Sequence, residues 1–135
     1  MKTPPQTQGM TSTHMQEHRD VQQLFGVTNK EICAKAIAAM EDGDAMALGR
    51  LMMNAQSAFD QFAAPMCSEL ESPKLHQVMA MPELQEHLHG SKGVGSQGDG
   101  CAQLLTRSKE SMLEVVAILE RLHYPCIPMT VQSCT

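Results

Sequence analysis

The stretch HLHGSKGVGSQGDGCAQLL, residues 87–105, holds five of the nine glycines of this 135-residue chain. The residues on either side of the glycines have an extended-chain pattern, which predicts strands over 87–92 and 101–106 paired antiparallel around a glycine loop. Glycine tolerates positive φ and has no Cβ, so successive loop amides can turn into one concavity and approach an anion. The residues alone leave two interpretations open, a structural tight turn and an anion-binding loop.

Upstream of this stretch the apolar spacing is helical. Thr28 with Glu31 forms a capping-box pattern at the start of a first helix, which should end at the turn around Gly43. Asp44 is the expected cap of a second helix that ends before Pro65. The two apolar stripes are Ile32, Ala36, Ile37 and Met40 on the first helix, and Leu48, Leu51, Met52, Ala55, Phe59 and Phe62 on the second.

A short third helix is predicted with Ser72 as N-cap and Pro73 at its first position. After the glycine stretch, Ser108 should cap another helix, and residues 126–131 are predicted to form a last strand, edge-like because Pro128 lacks an amide hydrogen. The expected fold is α+β, with helices covering a small antiparallel sheet that is short of its first strand.

Composition and patterning predict one domain. Residues 1–19 are polar and proline-bearing and are predicted to be disordered or a remnant of something longer, whereas residues 20–135 form the domain. A formal net charge of −5 with scattered Lys and Arg lacks the electrostatic footprint of a duplex nucleic-acid binder, so we expect no nucleic-acid partner. No window has the roughly 18 apolar residues of a membrane helix, and no signal peptide is evident, so we expect a cytoplasmic protein without membrane contacts.

Cysteine and histidine patterns give little evidence of a metal site. Five cysteines without a C-x-x-C pair argue against a disulfide framework and a zinc ribbon. His87 and His89 share a face of a strand, but without ordered third and fourth ligands they favour a partly buried or substrate-facing pair. His89 lies nearer the loop and is the possible substrate contact. Cys101 is expected to be a small buried residue rather than a nucleophile.

Residues 92–101, KGVGSQGDGC, resemble the third glycine-rich motif of the GHMP kinases (galactokinase, homoserine kinase, mevalonate kinase and phosphomevalonate kinase), commonly written K-L-T-G-A-G-G-G-G-C. Residues 36–62, AIAAMEDGDAMALGRLMMNAQSAFDQF, resemble the family segment in which a Gly-Asp turn and LG-x-LM precede a long helix, and SPKLHQVM resembles the helix after it. The resemblance covers residues 20–131, most of a family C-terminal domain. The coinciding positions of the loop motif are Lys92, Gly95, Gly98, Gly100 and Cys101.

This resemblance implies a ferredoxin-like C-terminal lobe of an ATP-dependent kinase that phosphorylates a hydroxyl of a sugar or mevalonate-like substrate. The loop would lie on the phosphate and substrate side of the cleft. Two positions depart from the motif, Gln97 and the acidic Asp99, and a carboxylate close to triphosphate would repel it. The implied phosphate and substrate loop comprises Lys92, Gly93, Gly95, Ser96, Gln97, Gly98, Asp99 and Gly100.

The resemblance assigns no catalytic residue and no metal ligand to this chain. Family members place their main phosphate loop, P-x-x-x-G-L-x-S-S-A, and their catalytic Asp and Lys in an N-terminal lobe that is missing here. ATP and Mg²⁺ would belong to the intact enzyme, the isolated chain should be inactive, and its uncovered apolar surface could drive self-association. The alternative is a stand-alone ferredoxin-like module that binds a metabolite or anion in a regulatory role without catalysis.

Overall fold

A computed structural model describes residues 12–131 of the chain. These residues form an α+β fold in which a two-stranded antiparallel sheet packs among helices, as the sequence predicts at the level of class. The helices are α1 (Ser12–Gln23), α2 (Asn29–Glu41), α3 (Ala45–Phe62), α4 (Pro73–Met79), α5 (Pro82–Gln85) and α6 (Lys109–Arg121). The strands are β1 (Leu88–Gly93) and β2 (Ala102–Thr106), and 3-10 turns at Ala64–Met66 and Ser68–Leu70 join α3 to α4.

Two of the predicted helix starts are confirmed by their capping bonds. The Asp44 carboxylate accepts a hydrogen bond from the Ala47 amide at 3.0 Å, and the Ser108 hydroxyl accepts one from the Ser111 amide at 3.0 Å. Each bond satisfies an amide that has no partner within its helix. Gly43 has a φ of +68° in the turn before α3, which is the left-handed conformation that favours glycine at this point.

The predicted start of the first helix at Thr28 is wrong. Thr28 has helical backbone angles and makes no capping bond, because it ends a π-helical turn, Leu24–Thr28, that joins α1 directly to α2. Leu24 in that turn is buried against Phe59 and Ala63, so tertiary packing extends the helical chain upstream of the local signal. Of the segment 1–19 that is predicted to be disordered or a remnant of something longer, residues 12–19 lie in helix α1, while residues 1–11 lie outside the described part of the chain.

The antiparallel pairing of the two strands around the glycine loop is confirmed. Each strand begins one residue later than predicted, and the register places Gly90 opposite Leu105 and Gly93 opposite Ala102. The predicted third strand over residues 126–131 is wrong, since this stretch has no strand. Proline at 125 and 128 removes two backbone donors, and the Ile127 side chain is 86% exposed.

The core consists of two clusters. One lies between the hairpin, α5 and α6, and the other joins the π-helical turn to the end of α3. On the predicted stripe of α3 only Phe59 is fully buried. On α2 the predicted core positions Ile37 and Met40 are exposed, whereas Ala39 is buried. The first cluster comprises Leu84, Leu88, Val115, Ile118 and Leu119, and the second Leu24, Phe59 and Ala63.

Helix α3 and strand β1 meet backbone to backbone at two glycines. A Cβ added to Gly49 would lie 2.3 Å from the backbone oxygen of His89, and one added to Gly90 would lie 2.2 Å from that of Gly49. Any side chain at either position would therefore force the two elements apart. This contact fixes α3 against the strand that enters the glycine loop.

Much of the remaining apolar surface is uncovered. Large apolar side chains stay at least half exposed on five elements or segments, with examples at Phe25, Ile37, Met46, Leu113 and Ile127. Within residues 12–131 no helix combines the length and the apolar character needed to cross a membrane.

Candidate functional site: the glycine loop and its polar network

The loop between β1 and β2 is built from two tight turns with an unusual run of positive φ angles. The Gln97 amide donates to the Val94 carbonyl at 3.1 Å, and the Gly100 amide donates to the Gln97 carbonyl at 2.9 Å. Positive φ at two glycines is inexpensive, but Gln97 at +66° and Asp99 at +59° are held where residues with a Cβ are uncommon. Contacts outside the loop must therefore stabilise these two residues.

Gln97 points inward and is held by Gln56 of α3. Both side chains are 8% exposed, and their amide groups exchange two hydrogen bonds of 2.9 and 3.2 Å. The Gln56 Oε1 also accepts a hydrogen bond from the Gly93 amide at 2.6 Å. A Cβ on Gly93 would lie 2.5 Å from the Gln97 side chain, so glycine at this position makes room for the pair. The Gln97 side chain thus anchors the loop to helix α3.

Asp99 caps helix α4 from outside that helix. Its Oδ1 accepts hydrogen bonds from the amides of Lys74 at 2.9 Å and Leu75 at 3.0 Å, a favourable place for a carboxylate because helix N-termini carry partial positive charge. Ser72, the predicted N-cap, makes no capping bond, and its hydroxyl instead accepts a hydrogen bond from the Asp99 amide at 3.3 Å. Ser72 therefore occupies the N-cap position and Pro73 the first helical position, as predicted, but the side chain that caps the helix is that of Asp99. The negative charge of Asp99 is satisfied within the protein.

His76 of α4 joins the two attachments of the loop. Its Nε2 lies 2.8 Å from Asp60 Oδ2, and its Nδ1 lies 2.6 Å from the Ser72 carbonyl oxygen. The hydrogen bond to Asp60, followed by that to the Ser72 carbonyl, raises the pKa of His76 above its ordinary value, with partial burial opposing them. The Asp60 Oδ1 accepts a hydrogen bond from Gln56 Nε2 at 2.9 Å. We call Gln56, Asp60, Ser72, His76, Gln97 and Asp99 the polar network.

Sequence reasoning did not identify Gln56, Asp60 or the role of His76. Gln56 and Asp60 lie one helical turn apart on the predicted second helix, which was a usable signal for a shared polar face. His76 contacts Asp60, whereas His87 Nδ1 lies 3.4 Å from the Ser111 hydroxyl of α6. No group of three or more potential metal ligands comes together within residues 12–131.

The outer part of the loop is the part available to a ligand. The amides of Gly95, Ser96 and Gly98 donate to no atom of the described residues, and all three residues are exposed. Lys92 is partly buried, and its Nζ donates a hydrogen bond to the Gly93 carbonyl at 2.7 Å. The ammonium group of Lys92 therefore lies beside the backbone where the loop begins.

The remaining predicted residues line the edges of the loop. His89 is partly buried, with its backbone against Gly49, and Gly100 closes the second turn. Cys101 is exposed, so the prediction of a buried thiol is wrong, because β2 begins one residue later.

The predicted loop residues fall into two groups, those with exposed amides that donate to no described atom and those with inward-facing side chains. Three backbone donors and Lys92 suit an anion, whereas Gln97 and Asp99 hold the loop in place. Searches against protein-family models, curated proteins and solved structures find no match to this chain.

Proposed function

We propose that this chain is the C-terminal lobe of a GHMP-type small-molecule kinase, with the glycine loop on the phosphate and substrate side of the cleft. The observation that carries the proposal is the contact between Gly49 and Gly90. Gly49 belongs to the LG-x-LM segment that resembles the family, and Gly90 lies on the strand that leads into the resembling motif at residues 92–101. The contact therefore joins one resembling segment to the strand that carries the other, which supports the proposal that the two segments belong to one lobe.

The loop geometry supports the phosphate-side role. A concavity of backbone donors binds phosphate oxygens well when no fixed negative charge faces it. Asp99 is the residue whose charge conflicts with such a role in the sequence, but its carboxylate accepts hydrogen bonds from the amides of Lys74 and Leu75 in α4. The amides of Gly95, Ser96 and Gly98 and the nearby Lys92 are the groups that we assign to the ligand.

In this proposal the lobe is ferredoxin-like, and the β1–β2 hairpin is part of a larger sheet. ATP and Mg²⁺ are bound mainly by an N-terminal lobe, where family members have their main phosphate loop and catalytic groups. Phosphoryl transfer depends on several positioned groups acting together, so this chain alone binds phosphate weakly and does not turn over. The proposed acceptor is a hydroxyl of a sugar or mevalonate-like molecule. The uncovered apolar surface is proposed to contact the other lobe or, without it, a second copy of the chain.

A second candidate function is favoured by the observation that side-chain and backbone groups of its own chain hold the loop. Gln56 and the amides of α4 fix Gln97 and Asp99 without help from another lobe. Such a loop is ready to bind by itself, as a stand-alone ferredoxin-like module would require. In that case a metabolite or anion binds tightly and regulates another process, without catalysis.

An NMR titration of the full chain with inorganic pyrophosphate and with MgATP tests the phosphate-side assignment. We expect weak binding that shifts the amide resonances of Gly95, Ser96 and Gly98, and a weaker response in a Lys92→Met variant. Lys74→Met is the matched control, because Lys74 is an exposed lysine on α4. Unchanged loop amides at saturating pyrophosphate would refute the assignment.

A coupled ADP-release assay separates the two functions. The kinase-lobe proposal predicts no turnover by the isolated chain with any sugar or mevalonate-like acceptor. Turnover by the isolated chain would contradict it. Tight binding of one metabolite, seen as a large increase in melting temperature without turnover, would favour the stand-alone module.

A further inference from the structure

The imidazole of His76 lies between two hydrogen-bond acceptors. Asp60 Oδ2 is 2.8 Å from Nε2, and the Ser72 carbonyl oxygen is 2.6 Å from Nδ1. A neutral imidazole carries one N–H, so in that form one of these contacts would set a nitrogen lone pair against an oxygen lone pair. Only the imidazolium donates to both acceptors. The geometry therefore favours a protonated His76.

Each acceptor of His76 is connected to the glycine loop by a further hydrogen bond. Asp60 accepts from Gln56 Nε2 at 2.9 Å, and Gln56 holds Gln97 of the loop. Ser72, whose carbonyl faces the imidazole, accepts from the Asp99 amide through its hydroxyl at 3.3 Å. His76 thus contacts Asp60, which bonds the Gln56 that holds Gln97, and Ser72, which bonds Asp99.

The charges around His76 favour its protonated form. Asp60 on α3 is the nearest carboxylate, and Asp99 of the loop adds a weaker favourable interaction. Glu71 lines the same shallow cleft of about 440 Å³, and the neighbouring 3-10 turn contributes only Ala64 and Pro65 to its walls. The opposing cation is Lys74, which is exposed on the same helix as His76. Carboxylates therefore outnumber cations near the ring.

We propose that protonated His76 is a pH-sensitive clasp that holds the glycine loop against α3 and α4, and that its deprotonation loosens the loop. The hydrogen bond to Asp60 raises the pKa of His76, so the clasp is complete below about pH 6.5 and is lost as the pH rises through the raised value. The clasp acts on loop order, and it holds whether or not the loop binds phosphate.

The test is an NMR titration of the full chain from about pH 5.5 to about pH 9, a range that spans histidine ionisation. We expect the ring protons of His76 and the amides of Gly95 and Gly98 to share one midpoint, which lies above the ordinary histidine value of about 6.5. Protection of the loop amides from exchange, corrected for intrinsic rates, should fall about two- to fivefold across that midpoint, as expected for losing one partly exposed polar contact.

Asp60→Asn is the variant that tests the clasp most directly. The Asn oxygen can still accept from Gln56, while its amide can donate to Nε2, so a neutral imidazole becomes acceptable and the shared midpoint moves to lower pH. His76→Gln should give a loop whose amides no longer titrate. His87→Gln is the matched control, because His87 is a partly buried histidine beside α6 and should leave the loop titration unchanged.

Three results would overturn the clasp. They are loop amides that do not titrate with His76, an unchanged midpoint in Asp60→Asn, and the same loop titration in His76→Gln. If His76→Gln fails to fold, the wild-type titration and Asp60→Asn still decide the question.

Discussion

Replacing Gly49 or Gly90 with alanine should separate α3 from β1 and destabilise the fold. The added Cβ would lie 2.2–2.3 Å from a backbone oxygen, whereas ordinary contact begins at 3.4 Å, so the elements must move apart by about 1 Å. Neither contacted atom is a flexible side-chain end that could swing away. The backbone of one element must therefore shift.

The cost can be worked from two contributions. Overpacking of this kind costs about 1–3 kcal/mol, and loss of the bond from the Gly93 amide to Gln56 adds about 1 kcal/mol. For Gly49→Ala, about 1 kcal/mol of this destabilisation is offset, because alanine has a higher helix propensity than glycine. We therefore expect losses of about 1–3 kcal/mol for Gly49→Ala and about 2–4 kcal/mol for Gly90→Ala.

Urea unfolding followed by circular dichroism measures these free energies. Gly26→Ala is the control, since Gly26 lies in the π-helical turn with no atom within 4 Å of an added Cβ, and it should be neutral or stabilising by up to about 1 kcal/mol. The two damaging substitutions act on one contact, so the double variant should lose less than their sum. If Gly90→Ala matches the wild type in stability, the close approach of α3 and β1 is refuted.

Three further predictions concern the polar network. Asp99→Ala should cost about 1–2 kcal/mol in urea unfolding, as a lost helix cap does, and Asp99→Asn should retain part of it; an equal loss in both variants would contradict capping. Gln56→Leu should cost about 1–3 kcal/mol by leaving buried polar groups unpaired, while Gln61→Leu on the exposed face of the same helix stays near zero. The pKa of His76 is raised in the folded protein, so the stabilisation that its protonated form provides is lost as the pH rises. Between about pH 6 and about pH 9, the free energy of unfolding of the wild type should therefore fall about 0.2–1 kcal/mol more than that of His76→Gln. Parallel pH profiles would exclude this contribution.

Local signals in the sequence predicted the parts of the fold that depend on near neighbours. The caps at Asp44 and Ser108 each involve an amide three residues away, and both form as expected. The strands on either side of the glycines are also set by local alternation and by the turns between them. The predicted edge strand at 126–131 had a suitable pattern, but a strand also needs a partner, which no local pattern supplies.

The support of the loop depends on residues far apart in the chain and was not predicted. Asp99 caps amides 24 and 25 positions upstream, and Gln97 pairs with a residue 41 positions away. Each residue, taken with its neighbours, suggested an exposed polar loop position. Their buried or capping roles follow from the packing of α3 and α4 against the hairpin, which brings complementary groups together without a sequence period.

The contact between α3 and β1 also requires equal separations between paired residues on the helix and on the strand. Gly49 and Gln56 lie seven positions apart on the helix, and their partners Gly90 and Gly93 lie three apart on the strand, in the same direction. Both separations span about 10 Å, at the rise per residue of a helix and of a strand. A single residue inserted between either pair would leave one partner out of reach. Length changes should therefore be tolerated between the two elements, at the 3-10 turns, and rejected within them.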